Sequence, residues 1–296
     1  MLISFKKYNK FYDILTCSKG GAMMGQEVRK VVFDEELEIE AYQFEGIMQK
    51  FPNHFHEHYT ILFIEKGNRH LVCKNKSYDL HAGDLILMNP RENHTCESLD
   101  GQPLNYRALN IRAEVMKKIV YEITGETYIP QFNQTVIYDS KEIILIKEVH
   151  QMIMEKYKEF EKEEVFYFLI EELLKKYTER VEAQDVQISS HIKDVCDYMD
   201  KNYRNQISLQ DLCDISGFKK YTLIRIFTKQ CGITPYQYLE TVRVNHSKEL
   251  LKLGIEPIEV AIQTGFSDQS HFTRFFKNFI GITPKQYQII FKEEDI

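Results

Sequence analysis

A chain of 296 residues, 43% hydrophobic and 28% charged, is long enough for two or three domains that each bury a core of their own. No run of eighteen apolar residues occurs, and Met1 to Lys10 has lysines but no apolar stretch leading to a small-residue cleavage site. Neither a membrane span nor a secretory leader is therefore expected. The net charge of −6 argues against a uniformly basic nucleic-acid binder, but it is uneven: from Ile188 onward 14 Lys and Arg face 13 Asp and Glu, while the preceding residues hold 24 against 31.

Up to about Ile111 the chain reads as short strands. Thr60 to Ile64 is rich in β-formers and runs into the turn Glu65-Lys66-Gly67-Asn68. His70 to Cys73 follows, then Leu85 to Met88 between Gly83-Asp84 and Asn89-Pro90. Closely spaced strands of this kind predict a small β-barrel or sandwich. Within it, His54, His56 and His58 alternate in Phe51-Pro52-Asn53-His54-Phe55-His56-Glu57-His58-Tyr59, and alternation on a strand puts them on one face. His94 comes later, after Asn89-Pro90-Arg91-Glu92-Asn93. A barrel mouth lined by His54, His56, His58, Tyr59 and His94 predicts a small-molecule pocket. Gly20-Gly21 and Gly25 lack the lysine and the spacing of a phosphate-binding loop and read as loop.

From about Arg112 to Arg180 the pattern turns helical. Ile143, Ile144, Ile146, Val149, Met152, Ile153 and Met154 give one broad apolar face; Val165, Phe166, Phe168, Leu169, Leu173 and Leu174 give another. Such helices can pack on the barrel, on each other or across a dimer. Glu179 to Ser190 is polar and aperiodic, as an interdomain linker is. The six cysteines (Cys17, Cys73, Cys96, Cys196, Cys213, Cys231) form no Cys-x-x-Cys pair, which suits reduced core thiols of a cytoplasmic protein rather than a zinc site or a disulfide framework.

The last region, about Ile188 to Ile296, reads as wholly helical and contains a near-repeat. Gly217-Phe218, then Arg225-Ile226-Phe227 and Gly232-Ile233-Thr234-Pro235, recur as Gly265-Phe266, Arg274-Phe275-Phe276 and Gly281-Ile282-Thr283-Pro284. The Gly-Phe pairs are 48 residues apart and the closing blocks 49, so one extra residue lies in the second copy before its arginine. Two matched units, each with a short turn before a helix, predict paired helix-turn-helix modules. Ser208 and Thr234 are expected N-caps, Gly217 a helix stop, and Ser267 the cap of the second reading helix. A helix from Pro235 to Leu253, with Leu239, Val242, His246, Leu250 and Leu253 on one face, would span about 28 Å at 1.5 Å per residue. That approaches the roughly 34 Å between successive major grooves.

In each reading helix the apolar face should dock and the polar face should meet DNA. Leu223, Ile226 and Phe227 are expected inward, leaving Lys219, Lys220, Tyr221, Arg225, Thr228 and Lys229. In the second copy Phe272, Phe275 and Phe276 are expected inward, leaving Gln269, Ser270, Thr273, Arg274, Lys277 and Asn278. Arginine pairs bidentately with guanine and glutamine with adenine, while lysine, serine and threonine mostly hold phosphates. Between Lys219 and Lys229 there are four basic residues and no acidic one.

This stretch, over roughly Ile188 to Tyr287, closely resembles the AraC/XylS family of bacterial transcription regulators. The family's base-readers match Tyr221, Ile224 and Arg225 in the first helix and Gln269, Ser270, Thr273 and Arg274 in the second. Two departures are Ile224, where a polar reader is usual, and Lys219, where a capping Ser or Thr is usual. The histidine-bearing region, about Ile39 to Ser98, resembles the cupin-type sensor domain that precedes the reading domain in many members. Metal-binding cupins add a glutamate three or four residues beyond their His-x-His pair; here those positions are Leu62 and Phe63, and Glu57 belongs to the opposite face. Three imidazoles suit Zn or Fe, yet without that carboxylate neither a metal nor another cofactor is expected.

The sequence thus predicts an α+β multidomain chain. Residues 1–111 form a cupin-like β-barrel sensor domain, 112–187 a helical dimerisation region with a linker, and 188–296 an all-α double helix-turn-helix domain whose modules a long helix joins. The expected function is sequence-specific, effector-responsive binding of promoter DNA by a homodimer, with RNA polymerase as a further partner and no membrane. Two rival expectations are a cupin metalloenzyme with a DNA-binding tail and a ligand-independent DNA-binding dimer.

Overall fold

The computed structural model describes residues 27–156, 161–179 and 189–291. The readings made on Met1 to Lys10, Cys17, Gly20, Gly21, Gly25 and most of the linker lie outside the described residues. The N-terminal part contains β1 (Val28–Asp34), β2 (Ile39–Ile47), β3 (Phe51–His54), β4 (His58–Lys66), β5 (Arg69–Cys73), β6 (Lys76–Leu80), β7 (Leu85–Met88), β8 (His94–Ser98) and β9 (Leu104–Arg112). There follow α1 (Ala113–Thr124), β10 (Gln131–Phe132), β11 (Val136–Ile137), α2 (Ile143–Met154), α3 (Glu161–Tyr177) and β12 (Thr178–Glu179). The three two-residue strands carry no periodic signal, and the sequence does not predict them.

Two sheets face each other, one in the order β1-β2-β9-β4-β7-β11 and one in the order β3-β8-β5-β6. Alternation along β4 divides its side chains between two environments. Thr60, Leu62 and Ile64 point between the sheets, while Tyr59, Ile61 and Phe63 point to the opposite face. That opposite face is covered by α1, α2 and α3 through Val115, Met116, Ile146, Val149, Phe166, Leu169 and Leu173. The larger sheet is therefore buried on both sides, which is why its strands read as continuous apolar runs. Ile144 and Phe168, expected on the apolar faces, are instead 72% and 60% exposed, because each helix has only one face against the sheet or its neighbour.

The C-terminal part is all helix: α4 (Ser190–Asn202), α5 (Leu209–Ser216), α6 (Lys220–Cys231), α7 (Pro235–Lys252), α8 (Pro257–Gln263), α9 (Gln269–Ile280) and α10 (Pro284–Ile289). The repeated Gly-Ile-Thr-Pro block is a helix stop joined to a helix start. Gly232 and Gly281 end α6 and α9 in the left-handed conformation, and Thr234 and Thr283 cap α7 and α10 in capping boxes completed by Gln237 and Gln286. Ser208 caps α5 in the same manner with Asp211, and Gly217 closes it.

The cap of α9 is Asp268, whose carboxylate accepts from the His271 N–H at 2.7 Å; Ser267 is the extra residue of the second copy and lies one position outside the helix. The face proposed for α7 also fails, since Leu253 is 76% exposed and His246 stacks on Tyr203 at 3.9 Å. Helix α7 is enclosed by neighbours on several sides, burying Tyr238, Thr241, Val244, Ser247, Lys248 and Leu251 as well, so no single stripe describes it.

Candidate effector cavity and DNA-facing helices

Between the two sheets lies a cavity of about 100 Å³, room for several waters or one small organic molecule. Its walls are mostly apolar, with Phe51, Leu62, Leu71, Ile86, Leu104 and Tyr106 among them. His54, His56, His58 and His94 supply its polar end. The histidines do not share one strand as expected. The chain leaves β3 after His54 and enters β4 at His58, so these two belong to opposite sheets with His56 in the connection. They meet because the connection crosses from one sheet to the other, and because His54 pairs in register with His94. Ring centroids are 4.4 Å apart for His54 and His94, and 4.7 Å for His54–His56 and for His56–His58. Burial keeps the rings neutral: it pulls His54 down to about 3, aided by His94, and lowers His56, His58 and His94 as well.

Tyr59, expected in the pocket, is not there. It is fully buried on the helix-covered face, donates its hydroxyl to the Pro130 carbonyl at 2.7 Å and meets Phe132 edge-on. Its strand neighbours His58 and Thr60 take the cavity positions. Glu57 turns outward toward Arg91, at 3.8 Å.

One wall of the cavity comes from the C-terminal part: Phe279 and Ile280, the last two residues of α9. Phe279 stacks on His54 at 5.2 Å and 13°. Around this plug, Arg29 donates to the Gly281 carbonyl, and Gln49 donates to the Lys277 and Asn278 carbonyls at 3.4 and 3.0 Å. Gly281 has φ 92°, and a Cβ there would collide with the Phe44 ring, so glycine is required for this approach. The other module is joined through Arg91, which pairs with Asp200 at 2.9 Å and donates to the Tyr238 hydroxyl, and through Phe55, buried against Tyr238 at 5.2 Å.

A buried polar cluster completes the junction. Glu40 of β2 accepts from Lys248 and Lys252 of α7 at 3.1 Å each, from the Tyr287 hydroxyl of α10 at 2.5 Å, and from Tyr42 at 2.8 Å. Burial alone would raise the Glu40 pKa, but Lys248 and Lys252, with the Tyr287 hydrogen bond, hold it well below the usual carboxylate range. Sequence reasoning missed Glu40, Phe279 and Ile280. Only the last two left a trace, as apolar residues that continue the inward face of α9 beyond Phe276.

Of the residues expected to face DNA on α6, Lys219, Lys220, Arg225 and Lys229 are exposed. Thr228 is half-buried with its hydroxyl oxygen buried and unpartnered, so it turns toward the module rather than outward. The side chain of Tyr221 lies outside the described residues. Lys219 precedes α6 without a side-chain cap, as its departure from Ser or Thr implies. On α9, Gln269, Ser270, Arg274 and Asn278 are exposed, and Thr273 and Lys277 are half-buried. Arg274 rests over the Phe275 ring at 5.8 Å and shares an open depression with Ser267, Asp268, Ser270 and His271.

A ligand-sized cavity in a double-sheet barrel, joined to two helix-turn-helix modules, defines a one-chain transcription regulator. Residues 36–169 match the family of AraC-like ligand binding domains, and 212–289 match a helix-turn-helix domain family. The HTH-type transcriptional regulator YbfI of Bacillus subtilis is 47% identical over 249 residues, covering 84% of this chain and 90% of that protein. A Staphylococcus aureus HTH-type regulator is 24% identical over 234 residues, which is 76% of this chain but 31% of that one. Apo ToxT from Vibrio cholerae shares the fold, with a TM-score of 0.51, 18% identity, and coverage of 86% of this chain and 97% of ToxT. The chain belongs to the AraC family of helix-turn-helix transcriptional regulators. Among the described residues no helix is long and apolar enough to cross a membrane.

Proposed function

We propose that this regulator works in the cytoplasm, without catalytic activity, by setting α6 and α9 into successive major grooves of a promoter in response to a small molecule held in the barrel cavity. The observation that carries this reading is that Phe279 and Ile280, at the end of α9, are also the wall of the cavity. An occupant that displaces Phe279 acts on α9 directly, and one that packs against it holds α9 in place. Either effect requires different affinities for two arrangements of the domains. ToxT, of similar fold, has been solved with an unsaturated fatty acid bound, and a mostly apolar cavity here suits a small, largely apolar effector.

On α6, Arg225 reads bases while Lys219, Lys220 and Lys229 hold phosphates; on α9, Gln269 and Arg274 read bases while Ser270, Thr273, Lys277 and Asn278 hold the backbone. Dimerisation falls to α2 and α3, where Ile144 and Phe168 are exposed, and RNA polymerase is contacted from the DNA-bound state. The test is selection of bound sequences from a random DNA library at two salt concentrations. Two information blocks about one helical turn apart are expected. Salt-sensitive binding with no motif would reduce the activity to electrostatic attraction.

A further inference from the structure

The cavity histidines are held as a ligand set is held. His54 Nδ1 lies 2.6 Å from the Pro52 carbonyl and His94 Nδ1 lies 3.0 Å from the Glu92 carbonyl. A carbonyl only accepts, so both Nδ1 atoms carry the proton and both Nε2 atoms present a bare lone pair. Metal-ligating histidines are oriented by this kind of second hydrogen bond. One nitrogen each from His54, His56 and His94 falls within 4.8 Å of the other two. The His54 and His56 Nε2 atoms are 3.2 Å apart. Two nitrogens bound at about 2.0–2.1 Å to one tetrahedral ion stand about 3.3 Å apart.

Two further facts point to an occupant. His56 Nδ1 and His58 Nε2 are buried with no hydrogen-bond partner, which is costly in an apolar cavity. Among the described residues no carboxylate lines the cavity, and the ligand atoms that cluster there are imidazole nitrogens. Such a set favours zinc, cobalt or nickel over calcium or magnesium. The sequence counted the missing glutamate against a metal. The fold supplies a third nitrogen from a different strand, because His94 is the register partner of His54.

We propose that His54, His56 and His94 bind one divalent transition-metal ion of the zinc type at the polar end of the cavity. His58, stacked behind His56, buttresses the set. The side of the ion facing the apolar walls stays open to whatever enters the cavity. Because His54 stacks on Phe279, the ion also fixes the ring against which α9 ends. This goes beyond the effector reading and holds whether or not the barrel answers to an organic molecule.

The experiment uses the full chain without an affinity tag, stripped of metal by a chelator and titrated with Co2+. One Co2+ per chain is expected, with visible d–d absorption of a four- or five-coordinate ion, and Zn2+ should displace it stoichiometrically. His56→Gln and His94→Gln should each weaken binding at least tenfold, while His70→Gln, whose ring pairs with Asp79 outside the cavity, should leave it unchanged. X-ray absorption on the unmutated Zn2+-loaded chain should show three imidazole nitrogens at about 2.0–2.1 Å, and this readout stands even if a variant fails to fold. Absence of stoichiometric binding, binding unaffected by both variants, or fewer than three imidazoles around the ion would each overturn the proposal. None of these readouts uses DNA, so their failure is separate from failure of the regulator reading.

Discussion

At the scale of single residues, the sharpest expectations attach to side chains whose surroundings assign one role. Arg274 is exposed on the outer face of α9, and Arg274→Ala should cost about 1–3 kcal/mol on a cognate site and relax preference at one base pair. Binding measured on cognate and random duplexes decides it, because equal losses on both would mark a phosphate contact. Lys229→Ala should weaken binding to all sequences and flatten the salt dependence by about one unit, read from affinities at several salt concentrations. His150 gives a pH dependence. It is buried between α2 and the sheet, donates Nε2–H to the Tyr42 carbonyl at 2.9 Å and leaves Nδ1 unpartnered, and burial pulls its pKa down to about 4. A histidine kept neutral in the fold takes up its proton more readily when unfolded. Its contribution is complete above the unfolded value of about 6.5 and is lost as pH falls from there toward 4, at about 1.4 kcal/mol per pH unit. Denaturant unfolding of His150→Gln should show a shallower loss between those limits than the parent chain. Residue identities were legible wherever period two applied cleanly. Alternation along β4 puts Tyr59 with Ile61 and Phe63, on the face opposite His58, so its place among the expected pocket residues does not follow from period two.

Elements were legible where local chemistry ends or starts them. The strands at Thr60 to Ile64 and Leu85 to Met88, the caps Ser208 and Thr234, and the stops Gly217 and Gly232 all follow from side chains within a few residues of one another. The faces of α7 and α9 were less legible, since what a helix buries depends on partners distant in sequence. Periodicity assigns α9 an inward face through Phe272 and Phe276, but it cannot reveal that Phe279 and Ile280 go into another domain's cavity. That placement yields an element-scale prediction. Phe279→Ala removes a ring about 5% exposed and should cost about 3–5 kcal/mol if the site does not collapse. Much of that loss belongs to the seating of α9 on the barrel, so hydrogen exchange should rise at the end of α9 and around β3 before it rises in α4 or α5. Uniform acceleration across both modules would instead mark Phe279 as an ordinary core residue.

On the scale of the whole molecule, the sequence separates a sensor from a reader and places a linker between them, yet nothing in it indicates that the two share a core. The junction is nonetheless extensive: apolar residues of the barrel and of α7, α8, α9 and α10 form one continuous cluster, and the Glu40 group is buried within reach of it. Charges of this kind contribute little as a pair compared with an apolar replacement, but removing one partner leaves the other buried without compensation. Glu40→Gln keeps an acceptor oxygen for only one of the two tyrosine hydroxyls, Tyr42 and Tyr287, and strips the counter-charge from Lys248, so a loss of about 3–5 kcal/mol is expected. Because Lys248 belongs to α7 and Glu40 to β2, that loss falls on the docking of the domains rather than on either domain alone. Calorimetry should therefore show one unfolding transition for the parent chain and two for the variant. The double variant Glu40→Gln, Lys248→Met removes the two most buried charges, leaves Lys252 its pairing with Glu249, and should recover most of the stability, a coupling that a double-mutant cycle measures. The native pair should also resist acid. Glu40 is held well below the usual carboxylate range, so its contribution is complete above about 4.3, the unfolded value, and is lost progressively as pH falls from there toward the folded value. Domain docking that came apart near pH 5 would have to arise from the neutral histidines, and its persistence in Glu40→Gln would identify them as the cause.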